Sequence, residues 1–344
     1  MTTVTVTASR TYDIKIGPGL LSTLAEEVTA LGKAENVLIV SDSNVFPLYG
    51  HICTAQLEHA GLSVSSFVFP AGEASKNGET YLSLLSVLAR EHLTRSDLIV
   101  ALGGGVAGDL AGFAAATFLR GIRYIQIPTT VLAAVDSSVG GKTAIDLPEG
   151  KNLAGAFYQP SLVLCDTDTL NTLPRDIFLD GCAEIIKYGI LYDPELISYL
   201  EETGPAFDRE SVIARCVQWK KAAVMEDEFD TGARMKLNLG HTIGHCIEQQ
   251  SQFTVSHGKA VAIGIAMAAR AAGCPDITKI QTILRQFDLP IYTQYSADAL
   301  YIHALSDKKR SGGSVNLILP RAIGNCEIVS TPVEALRSFL EAGL

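Results

Sequence analysis

The chain has 344 residues, of which 47% are hydrophobic, and a formal net charge of −10. That length and composition suit a folded protein of two domains and exclude a disordered one. The acidic balance leaves no broad basic footprint for nucleic acid and no electrostatic attraction to an anionic membrane surface. Seven cysteines, odd in number and without a C-x-x-C pair, fit a reducing cytoplasm rather than a disulfide framework.

In chain order, Thr3-Val-Thr-Val-Thr-Ala-Ser-Arg alternates as a strand does and does not read as a secretion signal. Short β-branched runs follow at Val37–Val40, Val64–Phe69, Leu98–Leu102, Tyr124–Ile127 and Leu162–Leu164. Between them, Pro47–Ala60, Asn77–His92 and Val106–Leu119 carry helical spacing. Strand and helix in alternation predict a mostly parallel sheet covered on both faces. From Arg175 to Gln286 the pattern is almost all helical, with turn signals at Asp193-Pro194, Gly204-Pro205 and Gly273-Cys-Pro275. The most apolar stretch there, Ala260–Gly273, is too short to span a bilayer and contains Arg270. Ser314–Leu319 and Glu327–Val329 read as a late hairpin, and Val333–Glu341 as a final helix. The expected division is an α/β domain at 1–173 and a mainly helical domain at 174–344.

Four constellations carry chemistry. Directly after the Leu98–Leu102 strand, Gly103-Gly104-Gly105-Val-Ala-Gly108-Asp109 contains G-x-G-x-x-G. Small residues there let a pyrophosphate approach a helix N-terminus. Asp42, after the Val37–Ser41 strand, is a candidate ribose acceptor, but it precedes the glycines instead of following them as in the usual fingerprint. Asp42 also suits a simple turn. Next, Thr129-Thr130, Asp136–Lys142 and Lys151-Asn152 place two lysines, paired glycines and hydroxyls in a charge-poor stretch, a candidate phosphate and carboxylate pocket. Third, Glu184 and Lys187 share a helix face at i, i+3. Glu184 is a candidate anionic metal ligand; the competing reading is an ordinary ion pair. Last, three of the seven histidines, His241, His245 and His257, fall in one window, and neutral imidazole is a common metal ligand. Arg234, Asn238, His241 and His245 step by four, three and four, which predicts one polar helical stripe interrupted by Gly240 and Gly244. Spacing favours the pair His241 and His245 but does not decide which two histidines join Glu184.

Taken together, these motifs resemble the 3-dehydroquinate synthase family of the sugar phosphate cyclases. The matching pieces run from Pro70-Ala-Gly-Glu73-Ala-Ser-Lys76 through Gly103–Asp109, Arg120-Gly121, Pro128–Thr130, Asp136–Lys142, Lys151–Phe157, Glu184–Lys187, Leu237–His245, Glu248 and His257-Gly258 to Asp307-Lys-Lys309. The resemblance implies an N-terminal Rossmann-like α/β NAD-binding domain, an all-α C-terminal metal-binding domain and an active site between them. It implies metal ligation by Glu184, His241 and His257, which makes His245 a substrate-side group. NAD contacts are implied at Asp42, Asn44, Glu73, Lys76, Gly104, Gly105, Asp109, Thr129, Thr130, Asp136, Lys142 and Lys151, with Thr169, Leu170, Asn171 and Thr172 nearby. Substrate contacts are implied at Lys142, Lys151, Asn152, Lys187, Lys220, Arg234, Asn238, His245 and one of Lys308 and Lys309, with Arg120 reaching in from a partner subunit.

The implied activity converts 3-deoxy-D-arabino-heptulosonate 7-phosphate to 3-dehydroquinate and phosphate, in the shikimate pathway. Its cofactors are NAD and one divalent metal, Zn²⁺ or Co²⁺; its setting is a cytoplasmic homodimer. Asn238 with Lys308-Lys309 favours this activity over the valiolone-type cyclases. Two positions depart from the family pattern: Lys259 stands where Glu is usual, and Asp146 where Asn is common.

Overall fold

The computed structural model describes residues 1–308 and 313–344, with backbone alone at 306–308. The chain divides into two compact units, Met1–Leu173 with Arg209–Phe229, and Pro174–Asp208 with Asp230–Leu344.

In the first unit, β1 (Thr2–Thr7), β2 (Thr11–Gly17), β3 (Asn36–Asp42), β4 (Ser63–Phe69), β5 (Leu98–Gly103), β6 (Arg123–Pro128) and β9 (Leu162–Asp166) form one sheet. A separate antiparallel hairpin pairs β7 (Lys142–Leu147) with β8 (Gly150–Phe157). The sheet order is β1-β2-β9-β6-β5-β3-β4, and β1 pairs antiparallel with β2 while the other pairs are parallel. Strand β3 shows why the apolar runs are continuous. Val37 and Ile39 enter a cluster with Tyr49, Cys53 and Leu57, while Leu38 and Val40 enter another with Leu84, Leu88 and Leu110. Both faces of the strand are therefore buried, as in a parallel sheet covered by helices on each side.

Numbered in chain order from β3, the strands β4, β3, β5, β6 and β9 lie side by side as 2-1-3-4-5, with β2 parallel beyond β9. The crossover direction reverses between β3 and β5, and such switch points open a crevice at the carboxyl ends of the strands. This order explains why Asp42 precedes the glycines. The acid ends β3 and the glycine loop ends β5, so the two adjoin across the switch rather than along the usual strand succession.

The sequence reading placed everything after residue 173 in the second domain. Arg209–Phe229 instead packs with the first, because polar tethers hold it at several points. Thr2 donates to Glu210 at 2.7 Å, and Ser9 and Gln159 both donate to Glu228. Arg209 donates to Asn171 at 2.6 Å, and Phe157 meets Phe229 edge-on.

Asp97 anchors the entry to β3 and β5. Its carboxylate accepts from the backbone N–H groups of Glu35, Asn36 and Thr94 and from the Thr94 hydroxyl. Burial by itself favours the neutral acid, but these bonds outweigh it and lower the pKa from 3.8 to about 2. Asp97→Ala is expected to destabilise the first unit by about 3 kcal/mol, since buried donors lose a charged acceptor. The contribution of Asp97 is full above about pH 4 and is lost as pH falls towards 2. Urea unfolding of both proteins at pH 7 and pH 3 checks this: the gap should shrink at the lower pH.

The second unit is mainly helical. Its largest helices near the site are Arg175–Tyr192, His241–Gln250 and His257–Ala271. Ile243, Ile247, Ala260, Ile263 and Met267 pack with Leu336 and Leu340 of the final helix. The hairpin of β10 (Ser314–Ala322) and β11 (Asn325–Pro332) joins that cluster through Leu317 and Leu319. Among the described residues no helix is long and apolar enough to cross a membrane.

Candidate active site

The expected residues fall into one set on each unit. On the first, the carboxyl ends of β3, β5 and β6 bring Asp42, Gly103–Gly105, Thr129 and Thr130 to the same edge of the sheet. Asp42 serves both readings of it. Its Oδ1 accepts from the N–H groups of Asn44 and Val45, closing a turn. Its Oδ2 faces Gly103, where an added Cβ would lie 3.4 Å away. Gly104 is similarly closed in: its Cβ would come within 3.1 Å of Thr130. The helix Gly105–Thr117 starts here with no side-chain cap, so its first N–H groups point outward for an anion. The hydroxyls of Ser41 and Thr129 are buried and have no hydrogen-bond partner among the described residues. Orphaned hydroxyls beside uncapped N–H groups suit a polar cofactor such as a dinucleotide.

A second cluster lies around Lys76. Its ammonium sits 2.5 Å from Asp109 and donates to Asn152 at 2.5 Å, with Glu73 at 4.0 Å. Burial opposes that charge, but Asp109 and Glu73 hold the pKa above the ordinary lysine value. Lys151 reaches Glu73 at 3.5 Å. Asn152 adopts a left-handed φ of 56°, held by its N–H bond to Asp146 at 2.8 Å. Asp146, the first family departure, therefore shapes the loop; an Asn carbonyl could accept the same bond. Lys142 is exposed at the head of β7.

Asp136 lies in a π-helical turn, Ala133–Ser137, and pairs with buried Lys220 at 2.5 Å. Of the residues after β9, Thr169 and Leu170 are buried, and Tyr49 donates to the Thr169 carbonyl. Asn171 and Thr172 are exposed. Arg120 sits in an exposed left-handed turn with φ 67° and makes no side-chain hydrogen bond or ion pair among the described residues.

On the second unit the predicted stripe does not form as one helix. Ala233–Asn238 is a 3-10 turn, Gly240 is left-handed with φ 79°, and the helix begins at His241. Arg234 and Asn238 therefore do not share a helix face with the histidines. The two glycines have a packing reason that periodicity does not show. A Cβ at Gly240 would lie 2.6 Å from the Val261 carbonyl, and one at Gly244 would lie 3.1 Å from Ala260. They let the two histidine-bearing helices touch backbone to backbone. Gly240→Ala is expected to cost about 2 kcal/mol through clash and left-handed strain; a lowered urea midpoint of the second unit checks it.

This contact brings three donors together. Nε2 of His241 and Nε2 of His257 each lie 3.5 Å from Glu184 Oε1. Two donors each about 2.1 Å from a tetrahedral cation are separated by about 3.4 Å, so the residues fit one. The outward nitrogens are held as well: His241 Nδ1 meets the Leu239 carbonyl at 3.1 Å, and His257 Nδ1 meets Glu248 at 3.5 Å. Such bonds fix the ring and leave Nε2 for a metal. Burial, helped by the Lys187 charge, lowers His241 to about 3, which keeps it neutral. Burial also opposes charge on His257, but hydrogen bonds and charges from Glu184 and Glu248 raise it to about 10. The same two carboxylates that hold a proton there attract a cation in its place.

Glu184 is fully buried and pairs with Lys187, itself 1% exposed. His245, in contrast, is exposed, with its ring 5.6 Å from that of His241. It belongs to a second close group, with Glu248 and His257. Among the described residues the buried cations are Lys76, Lys187, Lys220 and Arg234; all four are expected site residues. Lys309 lies outside the described residues, as does the side chain of Lys308. Asp180, which accepts three hydrogen bonds at the start of the His257 helix, was not singled out from the sequence.

An open α/β sheet with a switch-point crevice and a helical unit bearing Glu and two His define a metal-dependent enzyme. Residues 66–180 match the family model for the 3-dehydroquinate synthase N-terminal domain, and 181–310 match that for its C-terminal domain. The chain belongs to the 3-dehydroquinate synthase family. It is 46% identical to 3-dehydroquinate synthase of Caulobacter vibrioides, over 96% of this chain and 95% of that one. Among solved structures it resembles a 2-epi-5-epi-valiolone synthase from Streptomyces hygroscopicus subsp. jinggangensis 5008 with NAD⁺ and Zn²⁺ bound. That match has a TM-score of 0.88 at 27% identity, covering 99% of this chain and 98% of the other. A 2-deoxy-scyllo-inosose synthase complexed with carbaglucose-6-phosphate, NAD⁺ and Co²⁺ gives a TM-score of 0.87 at 26% identity, covering 98% and 100%.

Proposed function

We infer that this chain is an NAD- and metal-dependent carbon–oxygen lyase. It converts 3-deoxy-D-arabino-heptulosonate 7-phosphate to 3-dehydroquinate and phosphate in the shikimate pathway. The observation that carries this reading is the convergence of both histidine Nε2 atoms on Glu184 Oε1, in a chain 46% identical to an enzyme of that name. When bound, NAD accepts and returns a hydride at C5, and a Zn²⁺ or Co²⁺ ion polarises the oxygen there.

The chain's own residues account for the rest. Loss of phosphate from C7 requires removal of the C6 proton, which becomes acidic only beside a C5 ketone. Lys142, Asn152 and His245 hold the phosphate so that it can take that proton as it leaves. Lys187 and Arg234, both 1% exposed, are preorganised cations for the substrate's anionic groups. Lys220, paired with Asp136, is assigned to the substrate, and Lys151 and Asn238 complete this set, with one of Lys308 and Lys309. Asp42, Asn44, Glu73, Lys76, Gly104, Gly105, Asp109, Thr129 and Thr130 are assigned to NAD, with Thr169–Thr172 bordering them. Asp136 is also assigned to NAD, and Lys142 and Lys151 are assigned to both cofactor and substrate. The working form is a cytoplasmic homodimer to whose neighbouring site Arg120 contributes. The exposed side chain of Arg120, without a side-chain partner among the described residues, suits that role. Ring opening and an internal aldol reaction close the carbocycle. NMR identification of the product tests the reading: 3-dehydroquinate supports it, and an acyclic product or unchanged substrate contradicts it.

A further inference from the structure

The helix His257–Ala271 begins with a metal-ligand candidate but lacks the local chemistry that normally fixes such a start. Ser256 stands at its N-cap without a side-chain cap bond. Lys259 occupies the third helical position, where a capping box has Glu or Gln and where positive charge opposes the helix dipole. Asp180 supplies both missing functions from another helix. Its Oδ2 accepts from Gly258 N–H at 3.0 Å, and its Oδ1 accepts from Lys259 N–H at 2.9 Å and from the Ser256 hydroxyl at 2.5 Å.

Position adds a second consequence. Asp180 precedes Glu184 by four residues on the helix Arg175–Tyr192, so both occupy one face. The two helices meet at bare backbone: a Cβ at Gly258 would lie 1.9 Å from the Asp180 carbonyl oxygen. One aspartate thus ties the first turn carrying His257 to the helix carrying Glu184. We propose that Asp180 is a positioning residue that caps the His257 helix from outside it, sets His257 Nε2 against Glu184, and thereby raises cation affinity. It also accounts for Lys259, which is tolerated because the cap no longer depends on that side chain.

This rests on the metal assignment made above, and the test separates the two. Zn²⁺ affinity of the full chain is measured by competition with a chromophoric chelator, with NAD affinity followed alongside. Asp180→Ala is expected to weaken Zn²⁺ by about 10- to 100-fold and to leave NAD affinity unchanged. Adding Lys259→Glu rebuilds a local capping box with Ser256 and is expected to recover most of the loss, which a merely structural effect of removing Asp180 does not explain. Zn²⁺ affinity within twofold of the unsubstituted chain in Asp180→Ala, or no recovery on adding Lys259→Glu, overturns the proposal. If Asp180→Ala does not fold, Asp180→Asn with and without Lys259→Glu gives the same two readings. Failure of the unsubstituted chain to bind Zn²⁺ overturns the metal assignment itself.

Discussion

Glu184→Gln is expected to abolish tight cation binding and to lower turnover by at least about 10³-fold, the scale set by several kcal/mol of Lewis-acid stabilisation. The substitution keeps the shape of the side chain and removes only its charge. That charge does two things. Oε1 is the atom on which both histidine Nε2 atoms converge. Oε2 neutralises the Lys187 ammonium, which is 1% exposed. Leaving a buried cation without its carboxylate costs about 3–5 kcal/mol. Activity, bound metal and stability should therefore fall together. Metal analysis of the purified variant, with urea unfolding beside it, measures all three. Stoichiometric metal in Glu184→Gln would contradict its role as a ligand.

Lys142→Ala should separate chemistry from folding. Lys142 is exposed at the start of β7, and its strand is held by backbone pairing to β8. Its removal is therefore expected to shift stability by no more than about 0.5 kcal/mol. Loss of one positioned donor to a leaving phosphate should lower kcat by about 10²- to 10³-fold. NAD and metal affinities measured on the same variant should change far less than kcat. Near-normal turnover would remove Lys142 from the phosphate site and leave the hydride chemistry untouched.

The central strands β3, β5, β6 and β9 were legible because each is buried on both faces, which leaves a continuous apolar run such as Val37–Val40, whereas β1 was legible by its alternation and β2 was not read. The order of those strands was not legible. Nothing local to Asp42 says that β5 will lie beside β3, and so the acid and the glycines did not match the usual fingerprint. The β7–β8 hairpin was missed because its short apolar alternation is interrupted by the lysines and glycines that made it look like a pocket loop. Arg209–Glu226 was recognisable as a helix, but its partners are scattered from Thr2 to Asn171, beyond the reach of periodicity. The histidine window was legible as chemistry, while its local structure was not: a left-handed Gly240 resets the helix, so four polar residues at helical spacing do not make one stripe. Spacing favoured His245 as a ligand, and family resemblance favoured His257. His257 lies with Glu184 and His241 because Gly244 lets the two histidine-bearing helices touch and Gly258 lets the His257 helix touch the one carrying Glu184. Asp180 carried no signal at all, since a cap supplied from another helix leaves no mark beside the residue it caps.

The most direct test of the account is phosphate release from 3-deoxy-D-arabino-heptulosonate 7-phosphate by the full chain. NAD and divalent metal are each supplied or withheld, and NADH is followed by absorbance. The account predicts release only when both are present, with no net NADH, because the same cofactor returns the hydride it takes. Release without NAD, or NADH accumulating in step with turnover, would contradict it.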